Sequence, residues 1–358
     1  MIIGTLITIL IFLAALSILV LVHEFGHFIA ARLFGVSVEE FGIGFPPRAF
    51  GKVYGKTLYS INWIPLGGFV KLKGEQGESK NDPDSFCSKS VWKRLVIVVA
   101  GVFMNFIFAV VVLAIGFSVG IPQPIRDVHY GAQIRDEKII VTSIFPQSPA
   151  ERAGMKTGDV LKTVDGQIIE RTEDFQRYVK ERKGESVSLG IIRGKESLSF
   201  SVSPQEIPQE KYIGIGIAFE QVGTIVYPIY VAILEAFRLS ISLCGQILFL
   251  IGSAIQHLTV SSFMGPVGVA ASTGVIAKLG FSYLITLVVQ LSLGLAMFNI
   301  LPFPALDGGR ALFMIIEKIR RKPISSKVEN MFHTVGFFLL IALVLLVTVQ
   351  DIKRLFSW

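Results

Sequence analysis

Two histidines and a glutamate stand where the first apolar run of the chain ends, in ILVLVHEFGHFIAARLFG at residues 18–35. His23 and His27 are four residues apart, so on a helix they project from one face and can share a metal ion. The pattern H-E-x-x-H is typical of a zinc site in which the glutamate, Glu24, is the general base. Ionisable groups at membrane depth cost free energy, so their presence there indicates a function. The alternative is that two buried histidines and an unrelated glutamate stand together without one.

A catalytic zinc ion takes a third protein ligand and leaves one position open for water. Asp307 is the favoured third ligand because it directly follows the uncharged run 279–306, just as His23 and His27 follow the uncharged run 1–22. The next two residues, Gly308 and Gly309, allow close backbone approach. Past residue 221 the other acidic residues and histidines are Glu235, Glu317, Glu329, Asp351, His257 and His333.

The composition predicts an integral membrane protein. Of 358 residues, 52% are hydrophobic and 17% are charged, which is outside the usual range of soluble domains. Four uncharged runs can cross a bilayer as helices: 1–22, 95–125, 279–306 and 334–350. We interpret the first as a retained span and not a cleaved signal peptide, because it lacks a basic start and an A-x-A-like cleavage site.

The distribution of charge predicts the orientation. Net charge is +7, and Lys and Arg exceed Asp and Glu by 10 to 6 in residues 32–94 and by 6 to 3 in residues 302–332. The positive-inside rule places both loops in the cytoplasm and residues 121–221 on the other side. These charges flank spans and form no nucleic-acid motif, so no nucleic-acid partner is expected. The two cysteines, Cys87 and Cys244, are expected to be unpaired.

A soluble insert interrupts the membrane pattern at residues 126–220. KIIVTSIF (138–145) and SVSLGIIR (186–193) predict strands, and TEDFQRYVKE (172–181) predicts a helix. SPAERAGMKTGDVLKTVDGQII, at 148–169, resembles the PDZ signature of bacterial proteases. The resemblance implies that an extended peptide, or the C-terminus of a substrate, binds beside the strand within 211–219. The alternative is that the insert only excludes bulky substrates.

HEFGH after a first span and NILPFPALDGG at 299–309 together resemble the site-2 protease family of intramembrane metalloproteases. The resemblance extends to GIGFPP (42–47), IPLGGFVKL (64–72) and GPVG (265–268). It is closest to the bacterial members that regulate sigma factors. The single PDZ insert differs from those members that have two PDZ domains. It implies bound Zn²⁺ with Asp307 as third ligand, and substrate handling by Asn299 and Pro302.

Residues 53–74 have strand-like alternation broken at Gly67 and Gly68, and resemble the membrane-dipping β-loop of that family. The implied role is to pair with an unwound substrate, so Gly67 and Gly68 are candidate substrate-binding residues. An ordinary cytoplasmic hairpin is the alternative.

The fold class predicted is an α-helical integral membrane protein with about four transmembrane helices, a membrane-dipping β-loop after the first span and an inserted extracytoplasmic PDZ domain. A single crossing by 222–257 would put Asp307 on the wrong side of the membrane, so we expect that stretch to lie at the surface or to dip in and return. The expected regions are 1–125 (first span, β-loop 41–74, second span 95–120), 126–220 (PDZ domain), 221–278 (interfacial helices) and 279–358 (third span ending in LDG, fourth span 334–350).

The function implied is zinc-dependent cleavage of single-span membrane proteins in the bacterial cytoplasmic (inner) membrane, for example of an anti-sigma factor after a first cut or of signal-peptide remnants. Two other functions stay open. A PDZ adaptor with a dead metal site would usually lack one of the four site residues. A metal transporter would repeat its ligands along several spans.

Overall fold

A computed structural model describes residues 2–356 except 76, 80, 126, 127, 129, 130, 170, 195, 208–211, 258–263 and 323. It divides into two compact units, one of Met1–Ile115 with Ile233–Trp358 and the other of Gly116–Ala232. The first contains the apolar helices and a sheet, and the second is built on a sheet of its own.

The elements of the first unit, including two helices that continue into the second, are α1 (Ile2–Leu33), β1 (Val38–Tyr54), β2 (Thr57–Leu72), a short 3-10 helix (Phe86–Ser88), α2 (Val91–Val119), α5 (Ile229–His257), α6 (Pro266–Leu279), α7 (Phe281–Ile300), α8 (Asp307–Arg320) and α9 (Ser326–Phe356). Five of the described helices are long and apolar enough to cross a membrane: Leu6–Leu33, Val91–Val119, Ile229–His257, Phe281–Ile300 and Lys327–Arg354.

α1 differs from the expected span because it continues to Leu33, so the histidines lie inside the helix and not at its end. The helix packs closely on α2 at small residues. A Cβ on Gly26 would collide with the backbone of Ala100 and Gly101. Such small-residue contacts let helix backbones approach in an apolar setting. They bring the HEFGH turn of α1 against the first half of α2.

α5 rules out one of the two forms expected for 222–257, the one that dips in and returns. Residues 217–226 form a strand, and Ile229–His257 is one continuous helix of 29 residues, so the chain does not dip and return within it. α6, a short apolar helix at Pro266–Ala277, follows it within the region 221–278 that was expected to be helical. If α5 crosses the membrane, the chain must return before α7 for Asp307 to lie on the side of His23.

The sheet of the first unit is formed by two long strands that bend. Phe41 is paired both with Tyr59 and with Val70, and Phe50 is paired with Ile61. The spatial order is therefore 48–54, 57–62, 38–45 and 64–72. Segment 64–72 forms one edge of this sheet, and it lies against α1, where Ser17 Oγ donates to the Pro65 carbonyl.

A buried core joins the elements around HEFGH. Alanines of α1 meet the start of β1, the end of β2, α2 and α8 in a cluster without polar members. Its buried residues are Ala30, Ala31, Val36, Val38, Leu72, Phe86, Ile97, Val98, Ala311 and Met314. Burial of this apolar surface fixes α8, which begins at Asp307, relative to the histidine-bearing helix.

The elements of the second unit are β3 (Ile121–Pro124), β4 (Gln133–Ile144), α3 (Pro149–Arg152), β5 (Val160–Val164), β6 (Gln167–Ile168), α4 (Thr172–Glu181), β7 (Val187–Arg193), β8 (Glu196–Val202), β9 (Gln205–Ile207), β10 (Tyr212–Gly214) and β11 (Ile217–Val226). The main sheet has the order β3-β11-β4-β5-β7-β8, with β6 beside β5. The predicted helix 172–181 is found within those bounds, and α4 covers the core with Phe175 and Val179.

Candidate metal centre

Three side chains from α1 and α8 meet at one point. Asp307 Oδ2 lies 2.9 Å from His23 Nε2 and 3.5 Å from His27 Nε2, and the two Nε2 atoms are 3.2 Å apart. Ligands about 2.0–2.2 Å from a tetrahedral zinc ion are separated by about 3.3–3.6 Å. The observed separations are close to this value, so the three atoms fit three corners of a zinc site.

The positions of the protons on the two imidazole rings favour a cation between the Nε2 atoms. His27 Nδ1 donates to the Ile97 carbonyl of α2 at 2.8 Å, which leaves a lone pair on Nε2. His23 Nδ1 lies 3.4 Å from the Asn105 amide. Two imidazole lone pairs that face each other at 3.2 Å repel unless a positive charge stands between them. The donor set therefore suits a metal ion better than a hydrogen-bond network alone.

Asn105 is a residue that sequence reasoning missed. It is fully buried in α2, and its carbonyl oxygen Oδ1 has no hydrogen-bond partner. Rotation of the amide by half a turn places Oδ1 as acceptor of the His23 Nδ1–H. The signal was available, because Asn105 is the one polar amide in the uncharged run 95–125 apart from Gln123 at its far end.

Gly101 of α2 leaves room for the two imidazole rings because it has no side chain. A Cβ on Gly101 of α2 would collide with His27 Nε2 and His23 Cε1. Any larger residue there would displace the metal-binding nitrogens. α2 therefore forms a close wall behind the site and supplies both hydrogen-bonding groups that orient the rings.

Asp307 is the first residue of α8, directly after the loop that ends α7. A Cβ on Gly308 would collide with the carbonyls of Ile300 and Leu301, and one on Gly309 with the carbonyl of Phe303. The predicted close backbone approach is thus present. It turns the Asp307 carboxylate back toward α1.

Glu24 is oriented by the edge segment of the sheet. Its Oε2 accepts from the Val70 N–H at 3.1 Å. Glu24, His27, Asp307 and Arg310 all line one cavity of about 770 Å³. Burial lowers the pKa of the Arg310 guanidinium, but its ion pair with Glu75 outweighs this and raises the pKa, so Arg310 stays charged.

The other candidate ligands are engaged elsewhere. Glu317 accepts from Arg94, Glu235 from Arg238, and Asp351 from the Gly268 N–H. His257 is exposed at the end of α5. Within the part of the chain that the structure describes, His23, His27 and Asp307 are the group of three that could hold a metal ion. Ligands repeated along several spans, expected of a transporter, are not found among these residues.

The predicted substrate-binding residues divide into two places. Gly67 and Gly68 lie in the edge segment against α1, where added Cβ atoms would collide with Val20 and Leu21. Asn299 is half-buried in the last turn of α7, and Pro302 is exposed in the following loop. The structure brings neither pair into the metal group.

Comparison with known proteins agrees with this geometry. The family model described as Peptidase family M50 matches residues 11–343. The chain belongs to Peptidase family M50. CPE1693 of Clostridium perfringens, provisionally named a zinc metalloprotease, is 37% identical over 95% of this chain and 97% of its own length. Zinc metalloprotease RasP of Oceanobacillus iheyensis is 29% identical over 98% of this chain and 99% of its own.

This family M50 peptidase is therefore a zinc metalloprotease, and the resemblance to site-2 proteases is confirmed. Its five long apolar helices make it a membrane protein. Among solved structures, the PDZ domain of the Listeria innocua SdrC-like protein Lin2157 is 27% identical, covers 23% of this chain and 92% of that chain, and has a TM-score of 0.21. GtR34C of Geobacillus thermodenitrificans is 30% identical, with 23% and 94% covered and a TM-score of 0.20.

Proposed function

We propose that this peptidase hydrolyses a peptide bond within or next to the transmembrane segment of single-span membrane proteins. The supporting observation is the place of the site, since His23, Glu24 and His27 lie inside an apolar helix long enough to span a bilayer. Proteins cut in this way include anti-sigma factors already shortened by a first protease, and signal-peptide remnants. Both belong to regulated intramembrane proteolysis.

The residues at the site take distinct roles. His23, His27 and Asp307 hold the zinc ion, which when bound supplies Lewis-acid activation of a water molecule and of the scissile carbonyl. Glu24 accepts the proton of that water and passes it to the leaving amine. The Val70 N–H holds the carboxylate of Glu24 in a fixed direction. Asn105 and the Ile97 carbonyl keep the histidine nitrogens turned toward the metal.

The substrate must leave its helical form before it can be cut. Every carbonyl of a transmembrane helix is hydrogen-bonded internally, and unpaired backbone groups are costly inside a bilayer. The edge segment 64–72 offers a replacement, because its side away from 38–45 has no strand partner in the described sheet. Side chains of α1 occupy part of that edge: Ser17 donates to the Pro65 carbonyl and accepts from the Gly67 N–H, and Glu24 accepts from the Val70 N–H. An unwound substrate adds to this edge beside Glu24 and pairs with the backbone groups that these side chains leave free.

The predicted substrate contacts follow from this arrangement. Gly67 and Gly68 let the edge segment pack closely on Val20 and Leu21 of α1, which sets the position of the edge that the proposed substrate strand joins. Asn299 and Pro302 lie at the break between α7 and α8, shortly before Asp307, and are proposed to contact the substrate from there. The amide of Asn299 is the proposed hydrogen-bonding group for the substrate backbone there.

The proposed location is the bacterial cytoplasmic (inner) membrane, with the site toward the cytoplasm and the insert outside. The basic loops at 32–94 and 302–332 support this orientation. A membrane-impermeant thiol reagent applied to intact cells should then label a cysteine introduced at exposed Lys180 and leave Cys87 unlabelled. Labelling of Cys87 without labelling at position 180 would reverse the orientation.

The second unit is proposed to be a PDZ domain that binds an extended peptide or the C-terminus of a substrate. Support comes from a groove of about 500 Å³ between α4 and the segment 213–219. Phe175 and Val179 give it apolar walls, with Lys180 beside them. Residues 208–211, part of the predicted peptide-binding stretch, lie outside the described residues.

The test is cleavage of a synthetic peptide with one apolar span of about 20 residues, measured with zinc content in parallel. Glu24→Gln should keep its zinc and lose cleavage by a factor of at least about 10², because its ligands remain and its base does not. Asp307→Ala should lose both. Normal turnover by Glu24→Gln would refute the role of Glu24, and a wild-type protein that cuts soluble peptides but not this one would refute the proposed substrate class.

A further inference from the structure

One side chain of the active-site cavity has no part in the function described so far. His333, near the start of α9, lines the cavity together with Glu24, His27 and Asp307. Its ring packs against two aromatic rings that also contact each other, Phe313 of α8 at 5.9 Å and Phe332 at 6.2 Å between centroids. It is not a member of the metal group.

The hydrogen bond of His333 decides which of its nitrogens carries the proton. The Ala305 N–H donates to Nδ1 at 2.9 Å. A neutral imidazole that accepts at Nδ1 carries its proton on Nε2 and donates from there. That Nε2 is shielded from solvent and has no hydrogen-bond partner. A buried N–H without an acceptor costs free energy, so His333 is a donor that lacks its acceptor.

The position of this donor is tied to the metal ligand. Ala305 has a φ of 73°, uncommon for a residue with a side chain, and it stands two residues before Asp307. Gly336, almost one turn after His333, packs on Pro304 so closely that a Cβ would collide with it. α9 and the loop before Asp307 are therefore locked together at two contacts. These contacts tie the His333 ring to the loop that carries Asp307.

We propose that His333 is a substrate-binding residue, whose Nε2–H donates to a backbone carbonyl oxygen of the peptide segment in the cavity. This inference rests on the proposed function, in which the substrate enters unwound with carbonyl oxygens that need donors. Preorganised donors at a reacting carbonyl typically change kcat by about 10²–10³. A donor to a neighbouring carbonyl acts mainly on KM, so the split between kcat and KM reports which carbonyl is bound.

Two substitutions separate the two nitrogens of the ring. His333→Asn places an amide oxygen near the position of Nδ1, so it can still accept from Ala305 but cannot donate as Nε2–H does. His333→Gln places an amide NH₂ near the position of Nε2 and loses the acceptor for Ala305. His257→Asn is the matched control, because His257 is exposed at the end of α5.

Cleavage of the single-span peptide is measured as kcat and KM, with zinc content for each variant. His333→Asn should keep its zinc and lose at least tenfold in kcat/KM, while His333→Gln should retain several-fold more activity than His333→Asn. His257→Asn should equal the wild type. The proposal would be overturned if His333→Asn had the kcat/KM of the wild type, or if His333→Gln had a lower kcat/KM than His333→Asn. Either result would mean that His333 serves only to hold the Ala305 N–H. Failure of the wild type to cut the peptide would instead refute the proposed function.

A second measurement keeps His333 in place, in case both variants lose their zinc. In the Glu24→Gln protein, deuterium exchange at the Cε1 position of His333 is followed by mass spectrometry with and without the peptide. Bound substrate should slow this exchange at least twofold, because the ring becomes hydrogen-bonded at both nitrogens. An unchanged exchange rate at saturating peptide would overturn the proposal.

Discussion

The orientation of His23 depends on a neighbour that binds no metal. Without an acceptor at Nδ1, the imidazole can carry its proton on either nitrogen, and only one tautomer leaves Nε2 free for zinc. His27 Nδ1 donates to a backbone carbonyl, which a side-chain substitution does not remove. His23 relies on the Asn105 side chain, so the two ligands differ in how easily they are disturbed.

We therefore expect Asn105→Leu to weaken zinc affinity by about 10- to 100-fold, the usual effect of removing a group that orients a metal ligand. Competition with a zinc chelator measures this. Ser292→Ala is the matched control, since Ser292 Oγ donates to the backbone carbonyl of Asn105 and not to its amide. Equal zinc affinity in Asn105→Leu and the wild type would show that His23 needs no partner.

Sequence reasoning identified the residues with recognisable spacing and missed those without it. H-E-x-x-H fixes two ligands through helix periodicity, and Asp307 follows from its place at the end of an uncharged run. Asn105 and His333 act through contacts between helices far apart in sequence. An amide in an apolar run marks Asn105 as unusual, but no local pattern names the partner of either residue, which is set only when α2 and α9 are packed.

α6 lies in the region 221–278 that was expected to form interfacial helices, and its first turn explains why it is stable. Gly265 occupies the N-cap position and offers no side chain to the exposed N–H groups. Asp351 of α9 supplies the missing acceptor, taking a hydrogen bond from the Gly268 N–H at 2.7 Å. A Cβ on Gly268 would press on that carboxylate. The GPVG segment is therefore capped by another helix.

Loss of this cap should lower stability by about 1 kcal/mol or more, as for other helix caps. Asp351→Leu removes the acceptor, whereas Asp351→Asn keeps an amide oxygen in its place. Thermal unfolding of the detergent-solubilised protein should give a clearly lower midpoint for Asp351→Leu than for Asp351→Asn. Identical midpoints for these two variants would contradict the capping role.

The edge segment 64–72 has a consequence for substrate choice. If the substrate must become a strand beside it, the rate should follow how readily the substrate helix unwinds. Gly and Pro cost a helix about 1 and 3 kcal/mol relative to Ala, so placing them mid-span should speed cleavage several-fold. A series of single-span peptides with Ala, Gly, Pro or Leu at one position measures this. Indifference of the rate to that position would reject unwinding as the limiting step.

At the scale of the whole molecule, the insert is expected to act as a size filter or as a peptide binder. Joining Gly120 to Tyr227 through a short Gly linker removes the sheet of the second unit. A filter predicts that this deletion admits substrates with large outer domains and leaves the rate on short ones unchanged. Gln176→Trp, which fills the groove beside α4 without removing the insert, is the control.

A peptide binder predicts the opposite pattern, in which Gln176→Trp and the deletion both slow cleavage of substrates with a free C-terminus. Rates on long and trimmed substrates, measured for both variants, separate the two roles. If the deleted protein still refuses long substrates, the filter is excluded.

The pairing of β3 with β11 also bears on how such proteins diversify. Ile121 stands opposite Ile225, and the Tyr227 N–H donates to the Phe117 carbonyl at 2.9 Å, so the chain leaves the second unit beside the point where it enters. Domains whose two chain ends lie close together are the ones that can be inserted into another protein without disturbing it. Duplication, loss or exchange of the intervening segment would require no lengthening of α2 or α5. Evolution can therefore exchange the second unit as a whole, while the metal site between α1 and α8 is inherited intact.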